Sequence, residues 1–233
     1  MRGLRIAVLS DIHSNLEALE SVITSLGSYD ALFCLGDLVG YGAQPNEVIE
    51  RVRRLRPQVL IAGNHDYAVA NSDTSDFAPH AAAAVEWTRN ELRQENMDYL
   101  MTLPQDAAFK DQGLQVKAYH GSPKDPLNEY IFSGTPEYII INMIESAGAD
   151  VLLVGHTHTP MNVRTGSGHM FNPGSVGQPR DGDPRASFGF LYLEGHEVWF
   201  EVKRVNYDID SAANKILEQP VPRFLADRLY LGY

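Results

Sequence analysis

Five short apolar runs in this chain each end in side chains able to bind a metal ion. Ile6-Ala7-Val8-Leu9 leads to Asp11 and His13, Ala31 to Leu35 leads to Gly36-Asp37, and Val59 to Ala62 leads to Gly63-Asn64-His65-Asp66. Val116 to Tyr119 leads to His120, and Val151 to Val154 leads to Gly155-His156-Thr157-His158. Such runs read as buried strands, and open α/β sheets gather ligands in the crevice outside the carboxyl ends of their strands. Asp11 with His13, and His156 with His158, are spaced by the strand repeat, so in extended backbone each pair points one way and can grip one ion. Asn64 and His65 are neighbours and point apart, which suits a ligand beside a residue that faces a substrate.

The intervening segments predict the scaffold. Leu16, Leu19, Val22, Ile23 and Leu26 recur at helical spacing over 14–27, with Asn15 near the start and Gly27 at the end. A second helix over 46–55 precedes the strand at Val59, so the first 66 residues read as successive βαβ units carrying a parallel sheet. One long helical stretch is expected from Pro79 to about Met101, with Trp87 and Tyr99 assigned to core, and another from Pro136 to Ala147. Residues 187–194 and 197–205 flank Gly195-His196 as an antiparallel hairpin, expected in a second, mixed sheet. Asp208 is expected to cap a short helix, and the tail, about 207–233, to pack on a single domain covering 1–233.

Charge and composition narrow the function. A formal net charge of −11 repels a long polyanion, and the only dense basic stretch, Arg51 to Arg56, reads as a solvated helix face, so no long nucleic acid is expected as a partner. No apolar stretch approaches the roughly 18 to 20 residues of a membrane helix, and no signal peptide is visible. Cys34 is the single cysteine and lies in an apolar run, which fits a core thiol and a cytoplasmic location. Metallohydrolase signatures of the His-x-His-x-Asp-His and His-Glu-x-x-His types are absent, as is a Gly-x-x-x-x-Gly-Lys phosphate loop.

Each motif alone is weak, but their order is not, and five of the eight histidines fall at the strand ends. Together they resemble the calcineurin-like metallophosphoesterase superfamily, and within it the small single-domain bacterial phosphodiesterases. The family pattern of Asp-x-His, Gly-Asp, Gly-Asn-His-Asp/Glu, a later His, and Gly-His-x-His matches residues 11 to 158, and Asn172-Pro173-Gly174-Ser175 resembles the segment that often follows. The resemblance implies a four-layer α/β/β/α sandwich of two mixed β-sheets flanked by helices, with a metal site at the carboxyl ends of the strands. It implies two divalent ions, one on Asp11, His13, Asp37 and His158, the other on Asp37, Asn64, His120 and His156, with Asp37 shared. Such a nitrogen and oxygen set favours manganese, with iron, zinc, nickel and cobalt as alternatives, over calcium or magnesium. Two dications less two carboxylates and a bridging hydroxide leave the site at about +1, enough to attract a phosphate despite the acidic surface.

The expected activity is metal-dependent hydrolysis of phosphodiester bonds in small molecules such as nucleotides, through a metal-bridging hydroxide. The resemblance makes His65 the general acid, and Asp66 is expected to orient it. Alternatives are a phosphomonoesterase, a dinucleoside polyphosphate hydrolase, or a non-catalytic metal-binding scaffold, since the superfamily includes a retromer subunit. The Asp-Arg-Gly of the protein phosphatases and dinucleoside tetraphosphatases is missing, because Gly36-Asp37-Leu38-Val39 continues as Gly40-Tyr41-Gly42. Arg180, or Arg185, is the candidate replacement phosphate ligand, and Tyr41 is placed at the cleft mouth against the substrate. Ser122 is read as a turn residue, and His80, His169 and His196 as surface or packing residues.

Overall fold

The computed structural model of the protein describes residues 3–233. β1 (Leu4–Leu9), α1 (Leu16–Ser25), β2 (Ala31–Cys34), α2 (Pro45–Leu55) and β3 (Val59–Leu60) form the expected units, with the three strands parallel. Asn15 caps α1 by accepting the Ala18 N–H at 3.0 Å, an interaction worth about 1 kcal/mol. Alternation splits β1 between two cores: Ala7 and Leu9 pack on the helices, whereas Ile6 and Val8 face the second sheet. Burial on both faces explains why the strand reads as an unbroken apolar run.

α3 (Asn64–Asn71) has no clear sequence signal and begins at a candidate ligand. The single helix expected over 79–101 is two, α4 (Pro79–Glu91) and α5 (Gln94–Met101). No glycine or proline marks the break, where Leu92 is extended at ψ 132. Asn46, on α2, holds it: its Nδ2 donates to Glu91 O, and its Oδ1 accepts from Arg93 N and Asn96 Nδ2, each at 2.9 Å. A side chain remote in sequence satisfies the groups freed by the break, so no local window predicts it. Trp87 is buried, and Tyr99 packs against the helix-side core with the Arg53 guanidinium 4.7 Å from its ring centroid.

The second sheet is built from β4 (Asp106–Asp111), β5 (Leu114–Tyr119), β6 (Val151–Leu153), β7 (Met161–Arg164) and β8 (His169–Asn172), in the order β4-β5-β6-β8-β7, with α6 (Glu137–Ala147) on its outer face. β9 (Ala186–Glu194) and β10 (Glu197–Val205) form the expected hairpin but join the first sheet instead, giving β10-β9-β1-β2-β3. The reason is two-sided burial: Phe188 and Phe190 enter the helix-side core while Leu191 and Leu193 enter the core between the sheets, so β9 suits a place beside β1. The layers are therefore helices, sheet, sheet, helix, as expected. Between the sheets Phe33 packs with Val116, Leu153 and Phe171, and burying each such side chain contributes about 1.5–3 kcal/mol.

α7 (Ile209–Leu217) and α8 (Phe224–Leu231) complete the chain. Their apolar faces, with Ile216, Leu225 and Leu229, pack against Tyr41, Ala81 and Ala84, so the tail reaches the rim of the cleft described below. Cys34 is buried, and burial pushes its thiol up to about 12, which makes it inert packing. Among the described residues no helix is long and apolar enough to cross a membrane.

Candidate metal centre

The carboxyl ends of the parallel strands in both sheets meet at one edge of the sandwich. Asp11, His13, Asp37 and His158 offer ligand atoms within 4.8 Å of one another, and Asp37, His120 and His156 form a second such group. Asp37 belongs to both. The side chain of Asn64 points its buried Oδ1 at no protein partner, beside Asp37 on the floor of the same cleft. Six of the seven expected ligands thus fall in these two groups, with Asn64 lining the same cleft, but His156 and His158 fall in different groups, so spacing alone would have paired them wrongly.

Their backbone is not extended either. Asp11, His13, Asp37, His156 and His158 have φ of 55°, 50°, 52°, 65° and 59°, the left-handed region that costs a side-chain-bearing residue about 1–2 kcal/mol. Five of seven candidate ligands therefore sit beyond the strand ends in strained turns. Cross-links over-determine these turns: Asp11 N donates to Gly36 O, His13 N to Asp37 O, Val176 N to Ser10 O and Gly177 N to Asp11 O, at 2.9–3.0 Å. Asn172 and Ser175 add side-chain braces to Gly155 O and Asp11 O, each at 2.7 Å, which gives the segment after the last motif its purpose. At Gly63 a Cβ would overlap the Asp37 carboxylate, so only glycine fits there.

The imidazoles are oriented from behind. His13, His120 and His158 place Nδ1 at 3.0, 2.8 and 2.6 Å from the carbonyls of Val39, Leu35 and Gln178. A carbonyl accepts only from N–H, so each ring carries a proton on Nδ1 and in its neutral, metal-binding form turns a bare Nε2 inward. The inward atoms then face one another without donors to share: His13 Nε2 lies 3.0 Å from His158 Nε2, and Asp37 Oδ2 lies 3.4 and 3.3 Å from the Nε2 atoms of His13 and His120. Both Asp11 oxygens, Asp37 Oδ2, Asn64 Oδ1, His120 Nε2 and His156 Nε2 are buried without a hydrogen-bond partner. Buried lone pairs converging this closely are costly unless a cation satisfies them, so the donor set fits divalent metal ions.

The electrostatics follow from this crowding. Burial works to raise the Asp11 and Asp37 carboxyls, but the imidazoles of His158 and His120 outweigh it and hold both well below the usual carboxylate range. Burial pulls His65 down to about 4 and His156 to about 3. Burial acts the same way on His120, yet the charges of Asp37 and Asp11 win and carry it up to about 9. Relative to an unfolded histidine at about 6.5, the low values of His65 and His156 mean stability is lost as pH falls from about 6.5 to about 3. The raised His120 stabilises fully below about 6.5 and loses that contribution as pH climbs to about 9. The metal-free protein is therefore expected to melt highest near pH 6.5 and lower on either side. A melting temperature measured with chelator and flat from pH 4 to pH 9 would overturn these assignments.

Asp66 departs from its expected role. Its carboxylate accepts the backbone N–H groups of Leu38, Val39 and Gly63 at 3.1–3.2 Å and makes no hydrogen bond to the His65 ring. It locks the Asp37 turn to the start of α3 instead. His65 donates its own backbone N–H to Asp37 Oδ1 at 2.9 Å, while its ring packs 4.4, 4.9 and 4.9 Å from the rings of Tyr41, His13 and Phe77. Ser122 Oγ accepts from Lys124 N and Asp125 N at 3.2 and 3.1 Å and is the turn residue expected.

Above the cluster lies a cleft of about 420 Å³. Tyr41 and Arg180 line it as expected, with Arg180 Nη2 3.3 Å from the Tyr41 hydroxyl, whereas Arg185 pairs with Asp183 on the surface. Sequence reasoning missed several lining residues. His80 belongs to the wall, not to plain packing; Tyr130 lies 3.9 Å from the His156 ring; and Arg228 reaches in from α8. Arg228 alone had a readable signal, a charge on the apolar stripe of Leu225 and Leu229.

Comparisons with known proteins agree with this geometry. The family model of the calcineurin-like phosphoesterase superfamily domain matches residues 4–196. The chain is 38% identical to the protein MJ0912 of Methanocaldococcus jannaschii, over 97% of this chain and 98% of that one. It is 28% identical to phosphodiesterase YfcE of Escherichia coli, over 81% and 87% of the two chains. Among solved structures, a metallophosphoesterase from Sphaerobacter thermophilus superposes with a TM-score of 0.84 at 35% identity and covers 100% of both chains.

Proposed function

The chain belongs to the calcineurin-like phosphoesterase superfamily, and we propose that within it this protein hydrolyses phosphodiester bonds of small molecules such as nucleotides, using two divalent metal ions. The observation that carries the reading is the shared carboxylate: Asp37 is common to two buried ligand groups, and its Oδ2, both Asp11 oxygens and the Nε2 atoms of His120 and His156 have no hydrogen-bond partner among the described residues. The name of the YfcE relative, a phosphodiesterase, supports the choice of bond.

In this reading Asp11, His13, Asp37 and His158 hold one ion, and Asp37, Asn64, His120 and His156 the other. Bound there, a metal pair supplies Lewis-acid polarisation of the phosphoryl oxygens and an acidic water able to attack at neutral pH. The carbonyls of Val39, Leu35 and Gln178 keep three imidazoles aimed and basic. Tyr41 and Tyr130 cover the His13 and His156 rings and keep bulk water off the ligands. His65 packs against both His13 of the cluster and Tyr41 and passes a proton to the departing oxygen, and Asp66 holds the turn from which Asp37 projects.

The reading is tested with bis(p-nitrophenyl) phosphate. Chelated protein is expected to be inert, and turnover to return with manganese or with iron, zinc, cobalt or nickel. Failure of every one of these ions to support hydrolysis of any phosphoester would leave the fold without the proposed activity.

A further inference from the structure

Two guanidinium groups on the cleft wall are not used by the chemistry above. Arg228 lies on α8 and is only 7% exposed, and Arg180 is half-buried in the segment after the last ligand. Their guanidinium carbons lie 5.8 and 5.6 Å from the centroid of one ring, Tyr41. Arg180 Nη2 donates to the Tyr41 hydroxyl and to Gln178 Oε1 at 3.3 and 3.1 Å, whereas its buried Nε has no partner. Arg228 is fixed from behind by the main-chain oxygen of Tyr233, 2.5 Å from its Nε.

Among the described residues neither arginine pairs with an aspartate or glutamate side chain, although Arg51, Arg93, Arg185 and Arg204 all do. Burial and the neighbouring Arg180 charge pull Arg228 down to about 10, so it remains charged at neutral pH. Asp76 and Asp125 also line the cleft, and Asp125 accepts the N–H groups of Leu127 and Asn128 within its own turn. Two like charges held against one ring, with no aspartate or glutamate side chain among the described residues paired to either, attract a ligand's negative charge.

We propose, building on the phosphodiesterase reading, that Arg180 and Arg228 bind a second, non-scissile terminal phosphate of the substrate. The pair gathers at the rim of the metal cluster, around the Tyr41 ring that itself lies 4.6 and 4.4 Å from the His13 and His65 rings. Charge favours a second phosphate over the scissile one, since a diester group carries one negative charge whereas a terminal phosphate approaches two and accepts forked donors. The substrate class is a small phosphodiester bearing a terminal phosphate.

The test compares metal-reconstituted wild type, Arg180→Gln, Arg228→Gln and Arg228→Lys on two diesters, thymidine 5′-(p-nitrophenyl phosphate) and the same compound with a 3′-phosphate. Wild type is expected to prefer the 3′-phosphorylated compound in kcat/KM. Each glutamine variant is expected to cut that preference about tenfold or more, the worth of a charge-assisted hydrogen bond, with Arg228→Lys retaining part of it. A second readout needs no turnover: inorganic phosphate should raise the melting temperature of the chelated wild type and not that of Arg180→Gln. Equal losses on both diesters, with phosphate stabilising all variants alike, overturn the pair while the hydrolase reading stands. A loss that falls instead on p-nitrophenyl phosphate assigns the pair to the scissile group and also overturns the proposal. Arginine-dependent stabilisation by phosphate in a protein that hydrolyses neither diester supports the anion site and removes the phosphodiesterase reading. Should Arg228→Gln fail to fold, Arg180→Gln and Arg228→Lys decide alone.

Discussion

Replacing Asp37 by asparagine is expected to abolish phosphoester hydrolysis, by more than the roughly 10- to 100-fold that loss of an outer partner of a metal ligand costs, without unfolding the protein. Asparagine suits the position because it tolerates the left-handed backbone at φ 52° better than most residues. Its amide oxygen can still accept the His65 N–H that Asp37 Oδ1 accepts now at 2.9 Å. What disappears is the charge facing His13 and His120 at 3.4 and 3.3 Å, from the one residue shared by both ligand groups. Metal content should therefore fall at both positions together. The metal-free variant gives an independent check: with its main anionic neighbour gone, His120 loses its elevation to about 9, so the decline in melting temperature above pH 6.5 should flatten. An Asp37→Asn protein with wild-type turnover and full metal content would remove the shared carboxylate from the mechanism.

Much of this site was legible in the sequence because strand burial writes apolar runs and the ligands follow directly at their ends, as Leu9 precedes Asp11 and Val154 precedes His156. The turn geometry was not. Left-handed backbone at residues with side chains is imposed by cross-links such as Gly177 N to Asp11 O, which join positions more than 160 residues apart. For that reason the two-residue spacing of His156 and His158 suggested one shared ion, whereas the fold sends them to different groups. Asp66 was misread for a related reason: adjacency to His65 suggested contact, yet at the start of a helix its carboxylate is better placed to take three backbone amides. The hairpin of β9 and β10 was found but put in the wrong sheet, since its choice of partner depends on both of its faces being covered.

His65→Ala is expected to lower kcat about 10²- to 10⁴-fold for substrates with alkoxide leaving groups, the range for loss of a general acid, and to keep the metal ions. The substitution leaves the ligand set intact because His65 belongs to neither ligand group and touches Asp37 only through its backbone N–H, which alanine also has. The ring itself, 3% exposed among Tyr41, His13 and Phe77, accepts no proton readily, since burial holds it at about 4 in the free protein. An anionic phosphoester beside it favours the protonated form, so the acid is made when substrate binds. Dependence on the leaving group then separates acid catalysis from simple positioning. A phenol as acidic as p-nitrophenol departs without a proton, so bis(p-nitrophenyl) phosphate should suffer far less than a dinucleoside phosphate whose leaving group is an alcohol. The same large loss on both substrates, at unchanged metal content, would instead make His65 a positioning residue, and no loss on either would exclude it from the reaction.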